Sequence, residues 1–259
     1  TLMERYTIYP KDVYKGALIL VNQEHPLKEF AEKTWKARAI TEQYKNVLME
    51  AKAAEILRYI LNELEAEGQI VPVSGLRSRE EQVQIYTDSM KENGRVFTEK
   101  YVALPDHSEH QTGLAIDLAL CEKKIDFIRP HFPYDGICKA FREKALRYGF
   151  IERYPSEKEA ITKIAWEPWH FRYVGGPHAV YMNEQGICLE EYIERLRRYP
   201  YGENCLKLQV DEKTVEISYL KMEGEAKEIM LPKQKFCQIS GNNVDGVILT
   251  LWEKRDGKA

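Results

Sequence analysis

Asp117 lies inside the run Leu114-Ala115-Ile116-Asp117-Leu118-Ala119-Leu120, a single carboxylate among six apolar residues. A run this short and this apolar predicts a buried strand. A carboxylate carried into a core is costly unless something compensates its charge. The fold therefore has to bring a metal, a cation or several hydrogen-bond donors to this one strand.

Two flanking segments offer the partners. The first, Ser108-Glu109-His110-Gln111-Thr112-Gly113, leads directly into the run; the second, Glu167-Pro168-Trp169-His170-Phe171-Arg172-Tyr173, follows some fifty residues later. His110, Asp117 and His170 make two imidazoles and one carboxylate, a three-ligand set that leaves a zinc position open for water. Zinc lowers the pKa of such a water from about 15.7 to roughly 7 and polarises a scissile carbonyl. Glu167, three residues before the last ligand, is placed to take the water's proton and hand it to a leaving amine. Arg77, in the Gly-containing connection Ser74-Gly75-Leu76-Arg77-Ser78, is the candidate to stabilise the oxyanion. A plainer reading pairs Glu167 with Arg77 in a salt bridge and uses Trp166 and Trp169 for packing.

Backbone parity constrains the metal reading. His110 and Asp117 are seven residues apart, so an unbroken strand would point them to opposite faces. The chain must turn or bulge between them, and Gly113 is well placed for that. Glu167 and His170 have the same problem, and Pro168 supplies the irregularity. Pro168 also disfavours helical geometry at Glu167, which predicts a turn there.

The surrounding pattern alternates helices and strands. Ile56, Leu57, Ile60, Leu61 and Leu64 recur at helical spacing within Glu50 to Glu67, and Gly68 is a natural stop. Ile70 to Val73 reads as a strand. Ser78 with Glu81 fits a capping box, predicting a helix from Arg79 to about Glu92, ending near Gly94. Further helices are predicted over Ile137 to Tyr148 and Leu189 to Tyr199, and a strand over His170 to Val174. After Pro200 the pattern changes to short strands at Lys207 to Val210, Thr214 to Tyr219, Glu228 to Met230 and Val247 to Trp252. The domain boundary is placed between 199 and 200, with 1–199 as the catalytic domain and its lead-in and 200–259 as a small β-rich accessory domain.

Composition excludes some classes. A net charge of −3 over 259 residues argues against a nucleic-acid partner, which leaves a basic stripe. No apolar stretch approaches the roughly 20 residues that cross a bilayer. The chain opens on Thr1 rather than Met, which points to removal of an upstream segment; membrane contact is expected only through an anchor outside this chain. The five cysteines contain no Cys-x-x-Cys pair and read mostly as small buried hydrophobes.

The strings Ser-Gly-Leu-Arg-Ser-x-x-Glu-Gln (Ser74 to Gln82), Ser-Glu-His-Gln-x-Gly-Leu-Ala-x-Asp (Ser108 to Asp117) and Glu-Pro-Trp-His-x-Arg-Tyr-Val-Gly (Glu167 to Gly175) resemble the zinc D,D-carboxypeptidases of the VanY type. These are bacterial cell-wall peptidases that include vancomycin-resistance enzymes. Tyr148-Gly149-Phe150-Ile151-x-Arg153-Tyr154-Pro155 is similar to the same family, and the likeness covers roughly Val13 to Tyr199. The resemblance implies an α+β fold, a mostly antiparallel sheet with flanking helices and one Zn2+ held by His110, Asp117 and His170. It implies Glu167 as base, Arg77 as oxyanion stabiliser, Gln82 and Ser108 as substrate contacts and Trp169 as a wall of the site. The implied substrates are peptidoglycan precursor stems ending in D-Ala-D-Ala, with D-lactate as a variant terminus. One departure is Asp106, where the family often has glycine; Asp tolerates left-handed backbone better than most residues. The extra imidazole beside it, His107, reads as an exposed loop residue.

The leading expectation is a zinc D,D-carboxypeptidase releasing the terminal D-Ala. The alternatives are a D,D-dipeptidase or an L,D-carboxypeptidase with the same zinc chemistry, or a non-catalytic cell-wall-binding module. The expected setting is extracytoplasmic, at the outer face of the membrane or the wall, with the cytoplasm as the alternative.

Overall fold

The computed structural model describes residues 2–28 and 36–253. Its strands are β1 (Met3–Ile8), β2 (Ala37–Ala39), β3 (Leu48–Glu50), β4 (Ile70–Ser74), β5 (Ala115–Leu120), β6 (Phe150–Tyr154), β7 (Glu167–Tyr173), β8 (Leu206–Val210), β9 (Lys213–Lys221), β10 (Lys227–Pro232), β11 (Lys235–Gly241) and β12 (Gly246–Glu253). The helices are α1 (Ala51–Glu63), α2 (Arg79–Tyr101), α3 (Gly136–Arg147), α4 (Glu159–Thr162), α5 (Gly176–Gln185) and α6 (Leu189–Leu196). Every ladder between these strands is antiparallel, which is the α+β class expected. Among the described residues, no helix is long and apolar enough to cross a membrane.

The chain divides into two compact units, one of Thr1–Leu20 with Glu190–Ala259 and one of Val21–Leu189. This differs from the boundary expected at 199/200, and strand pairing is the reason. β1 pairs with β10 from Met3↔Pro232 to Ile8↔Lys227. Ile8 and Val13 then share a core with Met222, Ile229, Leu231, Val247 and Leu249. The N-terminal lead-in thus completes the β-rich unit, whose larger sheet runs β11-β12-β9-β8.

In the Val21–Leu189 unit the four-stranded sheet runs β4-β5-β7-β6. Phe132, Phe141 and Phe171 interlock edge to face, with ring centroids 5.7, 5.4 and 5.0 Å apart, and support β7. Three helix ends differ from expectation, the simplest being α6, which stops at Leu196 and not at Tyr199. α1 stops at Glu63 because Glu65 turns left-handed (φ 49°) and the Ala66 amide returns to the Leu61 carbonyl at 3.0 Å. α2 begins where expected, with Ser78 Oγ accepting from the Glu81 amide at 3.0 Å. It breaks at Gly94 (φ 81°, ψ 175°), then resumes to Tyr101, so the expected end marks a kink. The predicted burial of cysteines holds for Cys138 and Cys188 and fails for exposed Cys121.

Candidate metal centre

Three local structures build the site. The strand β5 carries Asp117, buried as its apolar neighbours require. Immediately before β5, Glu109–Thr112 forms a single 3-10 turn capped by Gly113 in left-handed geometry (φ 74°, ψ 3°). That reversal is the break between His110 and Asp117 that parity demanded. The third piece is β7, where Glu167 occupies the first strand position and not the expected turn. Pro168 still brings the irregularity: Glu152↔Phe171 is followed by Tyr154↔Glu167, so β7 spends four residues where β6 spends two. The bulge lets Glu167 and His170 face the same side, with Glu167 Oε2 3.6 Å from His170 Nδ1.

Arg77 is held by a fourth contact zone. The Ser74–Ser78 connection packs so tightly on β3 that a Cβ at Gly75 would lie 2.1 Å from the Leu48 carbonyl oxygen. The Leu76 amide donates to that oxygen at 2.6 Å, and the Arg77 amide donates to the His110 carbonyl at 3.0 Å. The guanidinium of Arg77 donates to Ser74 Oγ at 2.9 Å and to Gln82 Oε1 at 3.2 Å, and lies 3.5 Å from Asp117 Oδ2. Its ion pair is therefore with Asp117 and not with Glu167.

Hydrogen bonding decides which imidazole nitrogens face inward. His110 Nδ1 lies 2.8 Å from the Gly75 carbonyl, which can only accept, so that nitrogen carries the proton. His170 Nε2 lies 3.1 Å from the Glu109 carboxylate and is likewise the donor. The remaining nitrogens, His110 Nε2 and His170 Nδ1, point at Asp117 at 3.2 and 3.0 Å. Two ring nitrogens then face a carboxylate, and either a further proton on an imidazole or a shared cation must lie between them. His110, Asp117 and His170 offer ligand atoms all within 4.8 Å of one another, and all three residues are buried. Two imidazoles and one carboxylate fit a zinc ion.

Protons on the imidazoles can fill that role. Burial alone would raise the Asp117 pKa, but the charge of His110 and hydrogen bonds from both imidazoles outweigh it and hold it well below the usual carboxylate range. Burial lowers His170, yet its bonds to Asp117 and Glu109 push it up to about 9. Burial lifts Glu167 well above the ordinary value; His170 opposes this and the Asp117 charge adds to it. A carboxyl poised in this way can both accept and return a proton.

Glu109, Arg153 and Arg172 were not singled out in the sequence. Glu109 Oε2 lies 2.8 Å from Arg153 Nε and 2.6 Å from Arg172 Nη1, with all three side chains 0% exposed. Glu109 Oε1 meanwhile fixes His170. The signal was an arginine inside each of two strands rich in aromatic residues, Arg153 in β6 and Arg172 in β7.

The donors open onto a cavity of about 30 Å³, also lined by Gln82, Ser108, Tyr154 and Trp169. Gln82 uses both ends of its amide, accepting from Arg77 and donating to the Ala103 carbonyl at 2.8 Å. Ser108 Oγ caps the 3-10 turn by accepting from the His110 amide at 3.2 Å. Trp169 is buried near Tyr101, whereas Trp166 is half exposed and bonds Tyr134. Asp106 takes the left-handed backbone anticipated for it (φ 71°). His107, expected in open solvent, is half-buried with Nδ1 2.8 Å from the Asn22 carbonyl.

A sequence model of the VanY family, described as D-alanyl-D-alanine carboxypeptidase, matches residues 46–176. The chain belongs to the VanY family. It is a peptidase, and its matched segment holds every residue of the metal centre. It is similar to the bifunctional D-Ala-D-Ala dipeptidase and D-Ala-D-Ala carboxypeptidase VanXYC of Enterococcus gallinarum. The two are 40% identical over 182 residues, 70% of this chain and 95% of that protein. Among solved structures it resembles the vancomycin-resistance D,D-dipeptidase VanXYg in complex with a D-Ala-D-Ala phosphinate analogue. That likeness has a TM-score of 0.94 at 46% identity, covering 98% of this chain and 100% of the other. A VanY from a VanB-type resistance cassette, in complex with Zn(II), matches at TM-score 0.58 and 30% identity over 68% of this chain and 98% of its own. The first structural likeness includes the β-rich unit; the second stops short of the full chain.

Proposed function

We propose that this VanY-family peptidase hydrolyses the last peptide bond of substrates ending in D-Ala-D-Ala, releasing D-Ala, with one zinc ion held by His110, Asp117 and His170. The observation that carries the reading is the convergence of those three buried donors within 4.8 Å, beside Glu167 and Arg77. When bound there, zinc supplies a Lewis acid that acidifies water and polarises a carbonyl.

The protein's own groups do the rest. Glu167 accepts a proton from the attacking water and returns it to the leaving amine of D-Ala. Its burial favours the protonated form between those two events. Arg77, steered by Ser74 and Gln82, offers its guanidinium to the carbonyl oxygen as negative charge grows on it. Glu109 keeps His170 oriented with Nδ1 inward. Ser108 and Trp169 line the space for the terminal residue, and Gln82 acts on it through Arg77.

A dipeptidase reading is favoured by the likeness to VanXYg, a D,D-dipeptidase, and to bifunctional VanXYC. Pure binding needs no base, so the presence of Glu167 beside the donors supports catalysis over a wall-binding module. Mass spectrometry of products from a pentapeptide, a pentadepsipeptide ending in D-lactate, a tetrapeptide and free D-Ala-D-Ala, with and without chelator, tests the proposal. Chelator-sensitive release of D-Ala from the pentapeptide is expected. Cleavage of the tetrapeptide alone would make the chain an L,D-carboxypeptidase.

A further inference from the structure

The bulge that turns Glu167 and His170 to one side leaves part of the β7 backbone outside both ladders. β5 pairs with β7 only as far as Asp117↔His170, and β6 pairs with it at Phe171 and again at Glu167. Pro168 thus has a ladder partner on neither side, although every residue of β7 is buried. A buried carbonyl without a partner is destabilising. The Pro168 carbonyl accepts instead from Nη2 of Arg142, a side chain of α3, at 2.7 Å. The same Nη2 donates to the Phe132 carbonyl at 2.9 Å, and Nη1 donates to the Pro133 carbonyl. The guanidinium carbon lies 3.8, 4.8 and 5.7 Å from the ring centres of Tyr134, Phe132 and Phe171. Among the described residues the acceptors of Arg142 are all backbone carbonyls, and its buried Nε has none. Burying a charge without a bonded counter-ion is expensive, so stability alone accounts poorly for an arginine here.

Resting on the peptidase reading above, we propose that Arg142 is a positioning residue for Glu167. By holding the Pro168 carbonyl it fixes the bulge that keeps this carboxylate beside His170 during turnover. Arg142 lies outside the lining of the donor cavity, so its action passes through the β7 backbone and not through substrate. Tyr134 braces the same structure. Its ring stands against the guanidinium, its hydroxyl donates to Glu152 of β6, and it accepts from Trp166 Nε1 at 2.9 Å. Trp166 immediately precedes Glu167, and its ring lies 6.1 Å from that of Tyr134 and nearly parallel to it (8°). Both ends of the bulge are thereby tied to one guanidinium and one phenol. The planar fork matters because it joins two segments, the Phe132–Pro133 connection and β7. Lysine would keep the charge on a compact ammonium and could not reproduce that geometry.

Arg142→Ala removes charge and geometry together and risks misfolding, so Arg142→Lys is the deciding variant. Amide hydrogen exchange on the chelated full-length protein reads opening of the bulge at Trp169 and His170, with Val71 in β4 as reference. Steady-state kinetics of the zinc-loaded protein on a peptide ending in D-Ala-D-Ala, well below the Tm of the variant, reads kcat and KM. In Arg142→Lys, exchange at Trp169 and His170 should rise by about tenfold relative to Val71, the loss of one charge-assisted hydrogen bond. The kcat should fall by about 10–100-fold with KM within about threefold, because a misplaced proton acceptor slows the step more than it weakens binding. A lower Tm with kcat unchanged would reduce Arg142 to a stability role and overturn the proposal. A fallen kcat with unchanged exchange would overturn it too, since the effect would then not pass through the bulge. If the wild-type enzyme hydrolyses no such peptide, the peptidase reading fails, while the exchange ratio still judges whether Arg142 pins the bulge.

Discussion

Replacing Glu109 by glutamine removes one charge while keeping side-chain length and shape. In the native site that carboxylate is shared by Arg153 and Arg172 at 2.8 and 2.6 Å, and all three side chains are fully shielded from solvent. Removing one partner of such a buried cluster costs about 3–5 kcal/mol, because guanidinium charge stays behind in low dielectric. For a chain of this size each kcal/mol moves the melting midpoint by about 2–4 °C, so Tm should fall by roughly 6–20 °C. A second loss is local to the metal centre. Glu109 Oε1 accepts from His170 Nε2 at 3.1 Å, and weakening that bond frees the ring to rotate its Nδ1 away from Asp117. Zinc affinity should drop by about 10–100-fold. Thermal denaturation of the chelated protein reads the first effect, and competition with a chromophoric chelator reads the second. A Tm shift below about 2 °C together with unchanged zinc affinity would refute the reasoning, since it would mean that neither the guanidiniums nor His170 depend on this charge.

Three further outcomes follow from the same structure. Glu167→Ala should retain zinc by metal analysis yet lose roughly 10²–10⁴-fold in kcat; full turnover would exclude Glu167 as the base. Gly149→Ala should cost about 2–3 kcal/mol in denaturant unfolding, because φ is 102° and the new Cβ would sit 2.6 Å from the Gly175 carbonyl carbon. Unaltered stability there would show that the β6 and β7 ends can separate freely. His178 is held down to about 3 by burial, so the unfolded chain takes up its proton below about 6.5 while the folded chain does not. Stability from this group is complete above that pH and declines as pH falls toward 3, by about 2 kcal/mol at pH 5. His178→Gln should flatten that decline relative to wild type in Tm measured from pH 7 to 5; parallel curves would rule it out.

Much of the site was legible because burial of charge is expensive. Asp117 stood out against six apolar neighbours, and the parity conflict with His110 pointed to Gly113 before any coordinates. The same logic applied to Arg153 and Arg172 would have exposed Glu109, but each arginine sits among aromatic and polar neighbours where a solvent-facing position reads equally well. The irregularity at Pro168 was anticipated and its form was not: a bulge satisfies parity while keeping Glu167 on the strand, because β6 supplies a partner on its other side.

The fold divides along similar lines. Local periodicity and caps were enough for α1, α3, the start of α2 and most C-terminal strands, since those signals act within a few residues. β1 and β11 escaped notice because β1 buries only Ile8 fully and β11 has no regular alternation. What the amino-acid order carried unaided was the family, and the residues proposed as metal donors and base. Tertiary structure alone decided which nitrogen of each histidine faces Asp117, that Glu109 anchors the centre, and that the N-terminal strand joins the β-rich unit. Those features depend on pairing and charge compensation between residues tens to hundreds of positions apart, where no local pattern records the partner.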